Sequence, residues 1–151
     1  MPWGNAETRT TPIGTVTISE KDGVITSLVF DDCGSRTGSD TIDEAFAQLE
    51  EYLEGKRRTF RLDYRLEGTD FQKDVWGAVM RIPYGRTVDY AELAEKSGHP
   101  GAYRAAGNAN GRNPIPIFIP CHRVIRSNGD IGGYSCGVDI KKRLLRLEGA
   151  L

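Results

Sequence analysis

The period of the apolar positions changes along the chain, and each change marks an element. Thr15-Val16-Thr17-Ile18-Ser19 alternates apolar with polar, the pattern of a strand buried on one face. Lys21-Asp22-Gly23 supplies a turn, and Val24 to Phe30 reads as a second strand folding back as a hairpin. Polar residues to Asp40 predict a loop. Ile42, Ala45, Phe46, Leu49 and Leu53 then recur at helical spacing, with Gly55 as the stop. Thr59 to Leu66 alternates again and predicts a strand added to the hairpin. Beyond Gly68 the pattern is mostly helical. Thr69 with Gln72 is a capping box for a helix carrying Phe71, Val75, Trp76, Val79 and Met80 inward, ended by Ile82-Pro83-Tyr84-Gly85. Asp89 with Glu92 is a second capping box, opening a helix through Lys96. A turn at Ser97-Gly98-His99-Pro100 and a helix from Gly101 to about Ala109 complete the outline of a helix-turn-helix. Ile115 to Ile119 predicts a short strand, and residues 131–137 form a glycine-rich segment. A final helix from Val138 to Glu148 places Ile140, Leu144, Leu145 and Leu147 inside, with Lys141, Lys142, Arg143 and Arg146 mostly outside. The chain thus reads as a small α/β domain over residues 1–66 and a mostly α domain over 67–151.

Composition adds bounds. Apolar residues are 38% and charged residues 27%, which is globular rather than disordered or fibrous. The net charge of −1 hides an asymmetry. Residues 1–65 hold 8 Lys/Arg against 12 Asp/Glu, and residues 66–151 hold 12 against 9, so only the second half suits a polyanion. No apolar run approaches the roughly 20 residues that span a bilayer. Met1-Pro2-Trp3-Gly4 is neither a secretory leader nor a myristoylation start, so a soluble, cytoplasmic protein without membrane partners is expected. Cys33, Cys121 and Cys136 are odd in number and far apart, which argues against a disulfide framework. With no C-x-x-C and only His99 and His122 to assist, no metal site is expected. Cys33 is read as a small buried residue.

The candidate chemistry sits in Ile119-Pro120-Cys121-His122-Arg123-Val124-Ile125. Thiolate is the nucleophilic form of cysteine, and neighbouring positive charge lowers the pKa that controls it. The apolar frame predicts a thiol at the end of a buried strand, at the rim of a pocket. His122 has the residue type of a base, with an unperturbed pKa of about 6.5. Adjacent strand residues face opposite sides, so a water between Cys121 and His122 is the expected relay.

Five ordered segments carry a specific resemblance: PYGRTVDYAELA (83–94), YRAAGNA (103–109), NPIPIFIPCHRVI (113–125), GGYSCG (132–137) and LLRLEG (144–149). Together they resemble the C-terminal domain of the O6-alkylguanine-DNA alkyltransferases, the methylated-DNA–protein-cysteine methyltransferase family. Residues 1–65 match more loosely, chiefly in element order and the TPIG entry to the first strand. The resemblance implies an RNase H-like α/β N-terminal domain, a small antiparallel sheet with a helix. It implies a mostly α C-terminal domain with a helix-turn-helix and the active-site cysteine. The implied activity is repair of O6-alkylguanine, with O4-alkylthymine as a second substrate, by irreversible, single-turnover alkyl transfer to Cys121, without a cofactor.

The same resemblance assigns roles. His122 would be the base, with Glu148 orienting its imidazole. Tyr90 would protonate the departing guanine, and Asn113 would hold the active-site loop. Arg104 would fill the space left by a flipped nucleotide, while Ala105, Gly107, Asn108 and Arg123 join Tyr90 in facing DNA. The small residues of the second short helix would suit the minor groove of double-stranded DNA without sequence preference, bound by a monomer. Gly133, Tyr134, Ser135 and Cys136 would wall the base pocket. Cys136 departs from the family pattern, and its small side chain leaves room for benzyl-type groups. Rival readings are a non-catalytic alkyltransferase-like damage-binding protein, a hydrolase using Cys121, His122 and Asn113, and a helix-turn-helix regulator. Relatives of the first kind replace the cysteine that stands here at 121.

Overall fold

The computed structural model describes residues 4–151, so the reading of Met1-Pro2-Trp3 lies outside the described residues. Two compact units divide at Leu66 and Glu67. In the first, β1 (Asn5–Thr11), β2 (Gly14–Lys21) and β3 (Val24–Val29) form an antiparallel sheet in that order. The β2–β3 turn places Asp22 at φ 54° and Gly23 at φ 82°. Positive φ at both positions matches the right-handed twist of the flanking strands. Val16, Ile18, Ile25 and Leu28 of the sheet are buried, as are Ile42, Ala45, Phe46, Leu49 and Tyr52 of α1 (Asp40–Leu53). Ser39 caps that helix by accepting from the Ile42 amide at 3.2 Å. Glu54 then ends it, followed by Gly55 at φ 78°.

Two sequence expectations change here. Strand β1 is missing from the hydrophobic pattern because NAETRTT carries almost no apolar residue. It is defined instead by continuous pairing with β2, from Asn5 opposite Glu20 to Thr11 opposite Gly14. Conversely, residues 59–66 form no full strand. They meet β3 at one bridge, with the Ile25 amide donating to Asp63 O and the Arg65 amide to Ile25 O. Nearby, the Gln48 side chain accepts from the Arg61 amide at 2.9 Å and donates to Arg61 O at 3.2 Å. Those backbone groups are thereby satisfied without a neighbouring strand. Cys33 is exposed rather than buried.

In the second unit, α2 (Asp70–Met80) begins with the Thr69–Gln72 capping box, formed in both directions. Val75, Trp76, Ala78 and Val79 are buried. Met80, expected inside, is exposed in the last turn. Trp76 Nε1 donates to Ala109 O at 2.8 Å, tying α2 to α4 (Tyr103–Gly111). Between them, α3 (Tyr90–Lys96) starts on the Asp89–Glu92 box. Strand β4 (Val88–Asp89) pairs parallel with β5 (Val124–Ile125), and α5 (Val138–Leu147) closes the unit. No helix among the described residues is long and apolar enough to cross a membrane.

Candidate active site

The stretch before the cysteine is a tight loop, not the expected strand. Asn113 shapes it: Nδ2 donates to Ile119 O at 2.7 Å, and Oδ1 accepts from the Ile115 amide at 2.9 Å. Ile117 sits at φ 74°. That conformation costs a β-branched residue on the order of 1–3 kcal/mol. Burial of Ile115, Ile117 and Ile119 offsets it. Cys121 therefore opens a 3₁₀ turn, Cys121–Arg123, rather than ending a strand.

The thiol is almost enclosed, at 3% exposure. Its Sγ lies 3.8 Å from Tyr134 Oη, and the Cys121 carbonyl accepts from Asn110 Nδ2 at 3.3 Å. Burial pushes the thiol pKa up, while hydrogen bonds from Asn113 and Tyr134 and the charge of Lys141 oppose the rise. His122 is fully buried, and Nε2 lies 2.7 Å from Glu148 Oε2. Burial pulls its pKa down against the pull of Glu148. The imidazole is thus neutral near pH 7 and carries its proton on Nε2, facing the carboxylate. Nδ1 is left as the bare acceptor, with no protein partner among the described residues. At rest, the thiol and the imidazole are both uncharged. A thiolate forms when the imidazole takes the proton.

Arg123 is the clear departure from the expected DNA-facing set. It is 6% exposed and turned inward. Nε and Nη2 reach Glu148 Oε1 and Oε2 at 2.8 and 2.9 Å, and Nη1 donates to Ile82 O at 2.6 Å. The Gly85 amide adds a fourth donor to Glu148, at 3.2 Å from Oε1. Glu148, the C-cap of α5, is therefore a buried carboxylate with His122, Arg123 and Gly85 fixing its geometry.

Tyr90, at the start of α3, stands between α4 and the glycine-rich loop. A Cβ on Gly107 would lie 3.2 Å from the Tyr90 ring, and one on Gly132 (φ +75°) 3.2 Å from its hydroxyl. Glycine at both positions admits the phenol. Burial raises its pKa, so Tyr90 stays protonated and able to donate. The α4 residues Arg104, Ala105 and Asn108 are exposed, and Gly107 is half-buried. Ala106 and Ala109 instead pack inward, so only part of the small-residue stripe faces outward. An open groove is lined by Tyr90, Tyr103, Arg104, Gly107, Asn108, Arg126 and Gly133. Tyr134 contacts the thiol, Ser135 is exposed, and Cys136 is half-buried with its pKa pushed up to about 11.

The hydrophobic pattern missed Lys141, counted with the outward charges but fully buried. Its Nζ donates to Val124 O at 2.7 Å and Gly133 O at 3.1 Å, joining the cysteine segment to the glycine-rich loop. Burial pushes its pKa down to about 8, opposed by the Cys121 sulfur. The signal was positional. Lys141 shares the i, i+3, i+4 face of Leu144 and Leu145, which outweighs residue type when carbonyls wait inside.

Residues 70–150 match the family model for the 6-O-methylguanine DNA methyltransferase DNA-binding domain, and residues 6–66 match its ribonuclease-like domain. The chain belongs to the 6-O-methylguanine DNA methyltransferase family. Among its relatives, a methylated-DNA–protein-cysteine methyltransferase of Methanosarcina barkeri is 58% identical over 70% of this chain and 66% of its own. One from Mycolicibacterium paratuberculosis is 46% identical over 91% of this chain and 87% of its own. The crystal structure of Mycobacterium tuberculosis OGT in complex with DNA superposes with a TM-score of 0.88 at 42% identity, covering 95% of this chain and 92% of that one. Family membership accounts for both halves of the fold, the antiparallel sheet with its helix and the helical unit with its helix-turn-helix.

Proposed function

We infer that this protein repairs DNA by moving an alkyl group from the O6 atom of guanine irreversibly onto Cys121 Sγ. The observation that carries the reading is a buried thiol followed in the same 3₁₀ turn by a neutral imidazole with a bare Nδ1 and a fixed Glu148 at its Nε2. The proton leaves Sγ for His122 Nδ1 through a bridging water. Glu148 stabilises the resulting imidazolium. The thiolate attacks the alkyl carbon in line, the C–O6 bond breaks, and Tyr90 protonates the departing guanine so that it leaves neutral. Lys141 and Tyr134 offset the developing sulfur charge. The product is a thioether that water does not cleave at neutral pH, so each molecule acts once.

The alkyl group cannot reach a buried thiol from inside a stacked duplex. We infer that the nucleotide is flipped out, at a cost of a few kcal/mol. Arg104 on the exposed face of α4 fills the gap, and Ala105, Gly107 and Asn108 allow a close approach to the minor groove without reading sequence. Gly133, Tyr134, Ser135 and Cys136 wall the base, and the small Cys136 leaves room for a benzyl group. The protein acts as a monomer. The deciding experiment is intact mass and peptide mapping after incubation with a duplex containing O6-methylguanine. One methyl per molecule on Cys121 is the expected result. Turnover beyond one equivalent, or tight binding with no mass gain, overturns it. A second assay asks whether benzylguanine labels Cys121, and failure there while the methylated duplex reacts removes the inference about Cys136.

A further inference from the structure

Arg126 has no place in the scheme above, yet it occupies the mouth of the site. In the parallel β4–β5 pair, Asp89 stands opposite Ile125, so Tyr90 and Arg126 leave the pair side by side. The two flank one glycine: a Cβ on Gly132 would lie 3.2 Å from Tyr90 Oη and 3.5 Å from Arg126 Cγ. The Arg126 backbone is held in a tight turn, its amide donating to Asp130 O at 2.9 Å and its carbonyl accepting from Gly129 at 3.1 Å. The side chain is exposed and lines the groove shared by Tyr90, Tyr103, Arg104, Gly107, Asn108 and Gly133. It also lines the adjoining hollow beside Ala91, Ser127 and Asn128. No carboxylate lies within ion-pair distance of its guanidinium among the described residues. The charge of Arg126 is felt at Tyr90, where it opposes the rise that burial causes, and at Lys141, where it adds to the fall that burial causes. A cation whose backbone is held by the turn thus stands at the pocket rim, and the buried Lys141 ammonium repels it.

We propose that Arg126 clamps a phosphate flanking the flipped nucleotide, forming a charge-assisted pair that holds the extruded backbone at the rim while the base sits beneath it. This rests on the DNA-repair reading above. A flipped base enters the pocket, but its sugar and phosphates stay outside, where Arg126 stands. Guanidinium geometry matches two phosphate oxygens, and phosphate contacts position the nucleic acid without reading sequence.

The test compares the wild-type protein with Arg126→Ala and Arg126→Lys. Two probes are used, a duplex containing O6-methylguanine and free benzylguanine. Wild-type transfer from the duplex to Cys121 checks the underlying reading separately. Arg126→Ala is expected to lower the ratio of duplex to free-base rates by about tenfold. It should also reduce the slope of log affinity against log salt by about one phosphate. Arg126→Lys should restore the slope and only part of the rate. Replacing one flanking phosphate by a neutral methylphosphonate should make wild type and Arg126→Ala equivalent at one of the two linkages. Equal losses with both probes, an unchanged salt slope, or a difference that survives neutralisation of either phosphate would overturn the proposal.

Discussion

At the level of single residues, the site separates two kinds of information. Cys121 and His122 stood out by residue type and their apolar frame, whereas Glu148 entered only through the family resemblance; the structure places its carboxylate 2.7 Å from His122 Nε2. Arg123 was misread because its charge resembles that of a DNA contact, while its place in a buried turn opposite Glu148 is a tertiary fact. Lys141 was misread in the same way, a charge expected outside that backbone carbonyls hold inside. These placements lead to testable consequences. Cys121→Ala should abolish alkyl transfer by intact mass and leave duplex binding within about twofold by anisotropy. Glu148→Gln removes the carboxylate behind His122 and should slow transfer by about 10²- to 10⁴-fold. It also leaves Arg123 as an uncompensated buried charge, so a loss of about 3–5 kcal/mol in chemical denaturation should accompany it. The two effects separate in Arg123→Met/Glu148→Gln, which should recover stability but not rate.

The pH dependence follows from the His122 shift. Its folded pKa lies below the usual value of about 6.5, so the unfolded chain binds more protons between those two values. This contribution to stability is fully present above about pH 6.5 and is lost as pH falls through the folded pKa. The transfer rate should hold from neutral pH down past 6.5 and fall only at lower pH, where His122 Nδ1 becomes protonated. A midpoint at or above about 6.5 would contradict this arrangement. For Lys141, methionine substitution should slow iodoacetamide labelling of Cys121 near neutral pH, where the Lys141 ammonium is still charged, because one positive charge that favours the thiolate is removed.

At the level of elements, helices were read best because their ends are written in local chemistry. Both capping boxes formed as the spacing required. Strands were read unevenly: the β2–β3 hairpin formed where the alternation placed it, whereas segments without such alternation were misread. Polar β1 is specified by its partner, and the loop over 115–119 is specified by two hydrogen bonds from one asparagine. Asp89 sits at a junction between stability and chemistry. Its side chain accepts from the Glu92 amide at 2.8 Å, and the next residue is Tyr90. Asp89→Ala should cost about 1 kcal/mol through the lost cap. By loosening the first turn of α3 it should also slow transfer, whereas Thr69→Ala should cost a similar amount with the rate unchanged. On α4, Arg104→Ala should weaken repair in duplex far more than transfer from free benzylguanine. Equal losses would place Arg104 outside the flipping step.

For the molecule as a whole, the reaction alters the packing of its own core. Cys121 is 3% exposed, with Tyr134, Asn113 and Asn110 gathered around it. Alkylation adds a carbon to a close-packed interior and removes the thiol as a hydrogen-bonding group. Inserting one methylene into such a site costs about 1–3 kcal/mol. The affected unit, residues 67–151, falls in the size range where each kcal/mol moves the melting midpoint by about 4–8 °C. Methylated protein should therefore melt roughly 5–20 °C below the unreacted form, and benzylated protein lower still unless the Cys136 side of the pocket takes up the ring. Scanning calorimetry on stoichiometrically alkylated protein measures this directly. Hydrogen exchange should show the loss concentrated in the 113–125 loop, the glycine-rich segment 131–137 and α5, because Lys141 links these to the cysteine segment. An unchanged midpoint would mean that the pocket already holds space for the alkyl group, and the close packing around Sγ would then have no part in limiting its size.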